Sequence, residues 1–135
     1  MSNFFIDENL PDDLCKPLAF VFKAHRFRSC KTENLLSWDD EPLFEELELR
    51  NFYAIITMDS HQLENANERL GLRQAGLHWV GLEQPKGRGE IVIAHLSAMI
   101  MAGLPHVLSS WEPDPHLYKL TSSVIKSSVP VIEKL

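Results

Sequence analysis

Apolar residues in this chain fall into two kinds of run. Short, nearly continuous ones are Phe4-Phe5-Ile6, Phe52 to Met58 and Leu77-His78-Trp79-Val80-Gly81-Leu82. These read as strands, and the second predicts burial on both faces, as in the middle of a parallel sheet. Between them apolar residues recur at helical spacing. Leu14, Leu18, Val21 and Phe22 predict an amphipathic helix from residue 11 to about 24. Pro11, Asp12 and Asp13 suit its first turn, and Pro17 predicts a kink or a short first segment. His25 to Ser29 alternates loosely, as a short second strand would, and Lys31 to Trp38 reads as a loop. Asp39-Asp40-Glu41-Pro42 opens a helix that buries Leu43, Phe44 and Leu47, with Asn51 as its stop. Gln62 to Gln74 predicts a helix closed by Gly76. A long apolar helix runs from about Glu90 to Leu108, and Leu117 to Val124 predicts a last strand.

Strands alternating with helices at these lengths predict an α/β fold, a single domain over residues 1–135 with a mostly parallel central sheet flanked by helices. A chain of 135 residues, 44% hydrophobic and 24% charged, is long enough for one core and too apolar for disorder. The net charge of −6 argues against a general nucleic-acid binder, which carries a basic face, but suits clustered carboxylates balanced by bound cations. Cys15 and Cys30 lack metal-ligand spacing and read as reduced thiols of a cytoplasmic protein. The start of the chain has no basic residue, and Asp7 and Glu8 interrupt its apolar run, unlike a signal peptide. The greasiest segment, Ile91 to Ala102, is well under the roughly 20 residues a membrane helix needs, so no membrane partner is expected.

The chemistry concentrates at strand ends. Asp7 follows the first strand and Asp59 the third, at the sheet edge where open α/β sheets place their sites. Asp40 begins the intervening helix and reaches the same edge if residues 25 to 29 form a parallel strand. Carboxylate oxygens suit Mg²⁺ or Mn²⁺. Blander readings stand beside these: Asp40 as a first-turn acid, Asp59 as the start of a turn. Glu8 reads equally as an outer ligand or a helix N-terminal acid, and Glu83 is a weaker fourth candidate.

The Asp-Glu-Asn-Leu-Pro motif at 7 to 11 and the Ile-Ile-Thr-Met-Asp run at 55 to 59 resemble PIN-like domains of the VapC-type toxin group. Trp38-Asp39-Asp40-Glu41 and the Glu68-Arg69-Leu70 helix leading into Ala75-Gly76-Leu77 fit the same pattern, and the resemblance covers residues 4 to 83. It implies a metal-dependent endoribonuclease, the toxin half of a toxin–antitoxin pair, with RNA as substrate and a cognate antitoxin as partner. Carried over, Asp7, Asp40 and Asp59 match the metal-binding acids, Asp39 is the register rival of Asp40, and Thr57 matches the small polar residue beside the last acid. The fourth acid of many PIN nucleases has no clear match.

Lys86 and Arg88, in a glycine-containing loop after the fourth strand, are candidate phosphate contacts, as is Arg69, four residues before Arg73. Each also reads as ordinary charged surface, and His61 as a solvated loop residue. Trp38 is a candidate for stacking on a base or for packing over a core edge. Met99 and Met101 are candidates for a homodimer or antitoxin interface. The rival readings are a catalytically degenerate PIN-like module that binds RNA or protein without cleaving and, last, a phospho-accepting receiver-like domain, which lacks its expected lysine.

Overall fold

Alternation within the strands sends side chains to two opposite faces of one sheet, and each face is closed by its own helices. A computed structural model describes residues 2–135. Five strands, β1 (Asn3–Ile6), β2 (Arg26–Ser29), β3 (Ala54–Thr57), β4 (His78–Leu82) and β5 (Leu117–Leu120), are all parallel, in the order β2-β1-β3-β4-β5. Phe4, Ile6, Ala54, Ile56, Val80 and Leu82 face one way, against α1 (Cys15–Val21) and α6 (Glu90–Ser109). Phe5, Ile55 and Trp79 face the other, against α3 (Asp40–Leu49) and α5 (Ala66–Gln74). This is the expected α/β architecture, and the two-sided burial of β3 is complete.

Several boundaries differ from the sequence reading, each for a local reason. The first helix opens as a 3-10 turn, Asp12–Leu14, so Pro17 falls in the first turn of α1, where its missing amide costs nothing. The segment read as a loop from Lys31 begins inside α2 (Cys30–Glu33). Ser29 and Thr32 form a reciprocal capping box that turns β2 directly into this helix. The helix read over Gln62 to Gln74 is two helices, α4 (His61–Glu64) and α5. Asn65 breaks it, accepting hydrogen bonds from the amides of Asn67 and Glu68 at 2.9 and 3.2 Å as the N-cap of α5. The last strand stops at Leu120, because the Ser122 amide turns away to donate to Glu83 (2.8 Å) and starts α7 (Ser123–Lys126). Asn51 ends α3 as expected, in the left-handed region (φ 62°).

By length and mean hydropathy (1.8) α6 passes for a membrane span. Its Leu96, Met99, Ile100, Leu104 and Val107 pack on the sheet, while 28% of its apolar stretch is buried and Ile91 and Ile93 are exposed. Met99 thus belongs to this chain's own core and is not exposed for a partner.

The strand order puts a topological switch between β1 and β3. From β1 the chain passes outward to β2, then back across to β3, so their C-terminal tips border a crevice. One close approach supports that crevice from below. The indole of Trp79 lies across Gly81, where a Cβ would overlap the ring. Gly81→Ala therefore displaces Trp79 and should lower stability by about 1–3 kcal/mol, the scale of an overpacked core. Urea unfolding checks this, and an unchanged midpoint would contradict it.

Candidate active site

Asp7 leaves the tip of β1 still in register with its neighbour, its amide donating to the Ile56 carbonyl at 3.0 Å. It is 5% exposed, and both of its carboxylate oxygens accept hydrogen bonds. Oδ2 accepts from Thr57 Oγ1 (2.8 Å) and Gln62 Nε2 (3.1 Å), and Oδ1 accepts from the Glu8 amide (2.9 Å). Burial pushes the Asp7 carboxyl above the usual carboxylate range. The Thr57 and Glu8 hydrogen bonds oppose this, Asp40 adds to it, and Gln62 opposes it.

Thr57 is the hub between the two tips. Besides donating to Asp7 it accepts from Asn9 Nδ2 (3.0 Å) and from the Asp59 amide (2.9 Å), while Asn9 Oδ1 accepts from the Met58 amide (3.1 Å). The residues after β1 and β3 are thereby tied into one unit. Glu8, exposed, takes neither of its expected roles in a direct contact. It accepts from the Ser37 amide (3.0 Å) and so anchors the loop that delivers α3 and Asp40 to the crevice.

Asp40 reaches Asp7 through one side chain. Gln62 Nε2 donates to Asp40 Oδ1 at 3.1 Å as well as to Asp7 Oδ2, and its Oε1 accepts from Trp79 Nε1 at 3.1 Å. Glu68, in the first turn of the helix that Asn65 caps, adds a like charge acting on the Asp40 carboxyl. Burial first, then the charges of Glu68 and Asp59, push Asp40 up to about 6, against the pull of Gln62. Asp39 is exposed and makes no side-chain capping bond, so of the two register rivals Asp40 is the one in the crevice.

Asp59 is half-buried and its Oδ1 accepts from the His61 amide at 3.0 Å, holding the first turn of α4. His61 is exposed and pairs with Glu64 (3.0 Å). Glu83 is spent on the Ser122 amide. Lys86 and Arg88 are exposed in the loop after β4, at the same sheet edge as the acids. Arg69 is not brought to them: it lines a cleft of about 800 Å³ with Arg73, Trp79 and His116 that opens toward the start of β5. Trp38 is exposed in the loop before α3.

Sequence reasoning missed Glu68, Gln62 and Trp79. Glu68 belongs to the Glu68-Arg69-Leu70 run, whose helical pattern does not say which way Glu68 faces. The only signal for Gln62 was a polar side chain three residues past Asp59, on a helix that must turn one face inward. The signal for Trp79 was an indole N–H in a buried strand, which needs an acceptor.

Among the described residues no three His, Cys, Asp or Glu side chains are gathered closely enough to hold a metal ion unaided. The donor set still fits one hard divalent cation. Mg²⁺ usually takes one or two carboxylates and completes its shell with water or phosphate oxygens. Burial is the main reason that the Asp7 and Asp40 carboxyls are raised, and the like charges around them add to it, a part that such an ion would offset. A pH dependence follows. Because Asp40 binds its proton more tightly when folded, it costs stability at neutral pH, and that cost is lost as pH falls through about 6 toward the ordinary value of 3.8. With chelator present, Asp40→Asn should be more stable than wild type near neutral pH, and the gap should close at acid pH. Thermal unfolding across pH checks this, and a gap that widens on acidification would contradict it.

No curated protein and no solved structure matches the chain. One family does: the PIN like domain, over residues 2–84, from β1 through the end of β4 and so across every acid of the crevice. That span is more than half of the chain, and the chain belongs to the PIN-like domain family.

Proposed function

We propose that this chain is a Mg²⁺- or Mn²⁺-dependent endoribonuclease, the toxin component of a toxin–antitoxin pair acting in the cytoplasm. The observation that carries the reading is the meeting of Asp7 and Asp40 over one amide nitrogen, with Asp59 and Glu68 beside Asp40. PIN-like membership makes nuclease chemistry the natural use of such a cluster.

Asp7 and Asp40 would hold the cation, with Asp59 and Glu68 adding negative charge at its rim. A bound divalent ion supplies Lewis-acid stabilisation of charge on a phosphodiester and eases deprotonation of water. The chain's own part is orientation. Thr57 and the Glu8 amide fix the Asp7 carboxylate, and the Ser37–Glu8 bond fixes the start of α3. Lys86 and Arg88, exposed at the same edge, would neutralise backbone phosphates of the RNA and position it without reading bases. Arg69 and Arg73 would serve a more distant stretch of the strand, along their own cleft. An antitoxin or a second copy of the chain would find exposed apolar side chains at Ile91 and Ile93 of α6 and at Val131 and Ile132 of the tail.

One observation favours a second reading, a PIN-like module that binds RNA or protein without cutting. The place between Asp7 and Asp40 already holds the Gln62 amide. RNA cleavage with added Mg²⁺ or Mn²⁺ separates the two. A nuclease should lose activity by about a hundredfold or more in both Asp7→Asn and Asp59→Asn, at least the scale for losing a metal-orienting group. Equal cleavage by wild type and both variants would overturn this site. No metal-dependent cleavage by wild type, with RNA still bound, would establish the second reading.

A further inference from the structure

Gln62 is fully buried, yet it belongs to a four-residue helix at the rim of the sheet. Its amide cannot be turned around. Trp79 Nε1 is a donor only, so Oε1 must face the indole and the NH₂ group must face the acids. Both amide hydrogens are then used, one on Asp7 Oδ2 and one on Asp40 Oδ1, each at 3.1 Å. Two carboxylate oxygens from separate elements thus converge on a single nitrogen. An ion bridging the two, with oxygen ligands at about 2.0–2.1 Å, would need them closer together than the two hydrogen bonds of one amide hold them, and it cannot share the place with that amide.

Resting on the reading of these acids as a cation site, we propose that Gln62 is a positioning residue that fills the bridging place between Asp7 and Asp40, so that a divalent cation bridges the two only by displacing its amide. In the ion-free protein a neutral donor keeps the buried Asp7 and the half-buried Asp40 carboxylates together, which would otherwise repel. Binding the ion then breaks two charge-assisted hydrogen bonds, which weakens the affinity. It also withdraws the acceptor from Trp79, which couples the occupancy of the crevice to an indole held across Gly81 in the sheet. Gln62 in this role sets how much free cation the protein needs, without itself touching substrate.

The test is Mn²⁺ titration by calorimetry at about pH 8, on wild type, Gln62→Met, Gln62→Glu and Asp7→Asn. It is paired with the Trp79 indole N–H signal in a nitrogen–proton correlation spectrum during Mg²⁺ titration of wild type, assigned with Trp79→Phe. Gln62→Met keeps the volume and removes both donors, and should bind Mn²⁺ roughly tenfold or more tightly than wild type, the scale of changes next to metal ligands. Gln62→Glu keeps an acceptor for Trp79 and adds a ligand oxygen, so it carries the same expectation should Gln62→Met fail to fold. The Trp79 signal should move in step with saturation. Equal Mn²⁺ affinity in wild type and both Gln62 variants, with the Trp79 signal unmoved, would overturn the proposal and leave the cation site standing. Absence of Mn²⁺ binding in every protein, the Gln62 variants included, would overturn the cation reading and this proposal with it.

Discussion

A buried carboxylate must be answered by donors, and the fold of this chain is arranged so that Asp7 is answered by three. Each comes from a different place: Thr57 from the neighbouring strand, Gln62 from the helix after it, and the Glu8 amide from the chain's own continuation. Hydrogen bonds to a charged group contribute about 1.5–3 kcal/mol each, and losing one partner exposes the cost of the buried charge. The tip of β1, the tip of β3 and α4 are therefore fixed relative to one another by one side chain. Gln62 extends the same network to Asp40 and, through Trp79, to the strand behind it. Every buried side-chain polar atom among the described residues finds a partner, so the crevice is polar without being frustrated by unmet hydrogen bonds. What is left unbalanced is charge.

That imbalance distinguishes the crevice from an ordinary network of caps. Asp40 sits against Glu68 and near Asp59, with Asp7 on the far side of the Gln62 amide. Elsewhere Glu33 takes both Arg28 and Arg50 and Glu46 takes Arg50, while other acids such as Asp39 and Glu41 are unpaired but exposed to water. In the crevice no cation among the described residues is an ion-pair partner of these acids. A protein that gathers acids at a switch point and leaves them unpaired bears a standing cost, and an external cation is the simplest agent that removes it.

The inner strands β1, β3 and β4 were legible in the sequence because they are short apolar runs buried on both faces, which few other structures accommodate. Asp7 and Asp59 were legible because a single acid straight after such a run has a defined place, the strand tip. Asp40 over Asp39 followed from being nearer the helix proper, and the structure puts Asp40 in the crevice. The unread parts share one physical character. The Asn65 cap, the Ser29–Thr32 box and the Ser122–Glu83 bond are exchanges between one side chain and one amide, too local to alter periodicity. Gln62 and Glu68 depend on that first break: only when Asn65 divides the helix does Gln62 turn inward and Glu68 begin a new one beside Asp40. Trp79 could be read as buried, but its acceptor lies 17 residues away in sequence.

The central claim is that unbalanced charge around Asp7 and Asp40 is what a divalent cation answers. Ion binding to the folded state alone raises its stability as the logarithm of one plus the ratio of free ion to Kd. The most direct measurement is therefore thermal unfolding of wild type and Asp7→Asn across increasing Mn²⁺. Wild type should show a melting temperature that begins to rise near Kd and climbs with the logarithm of Mn²⁺ above it, a rise that Asp7→Asn lacks. A flat wild-type response, or the same rise in both proteins, would contradict the account.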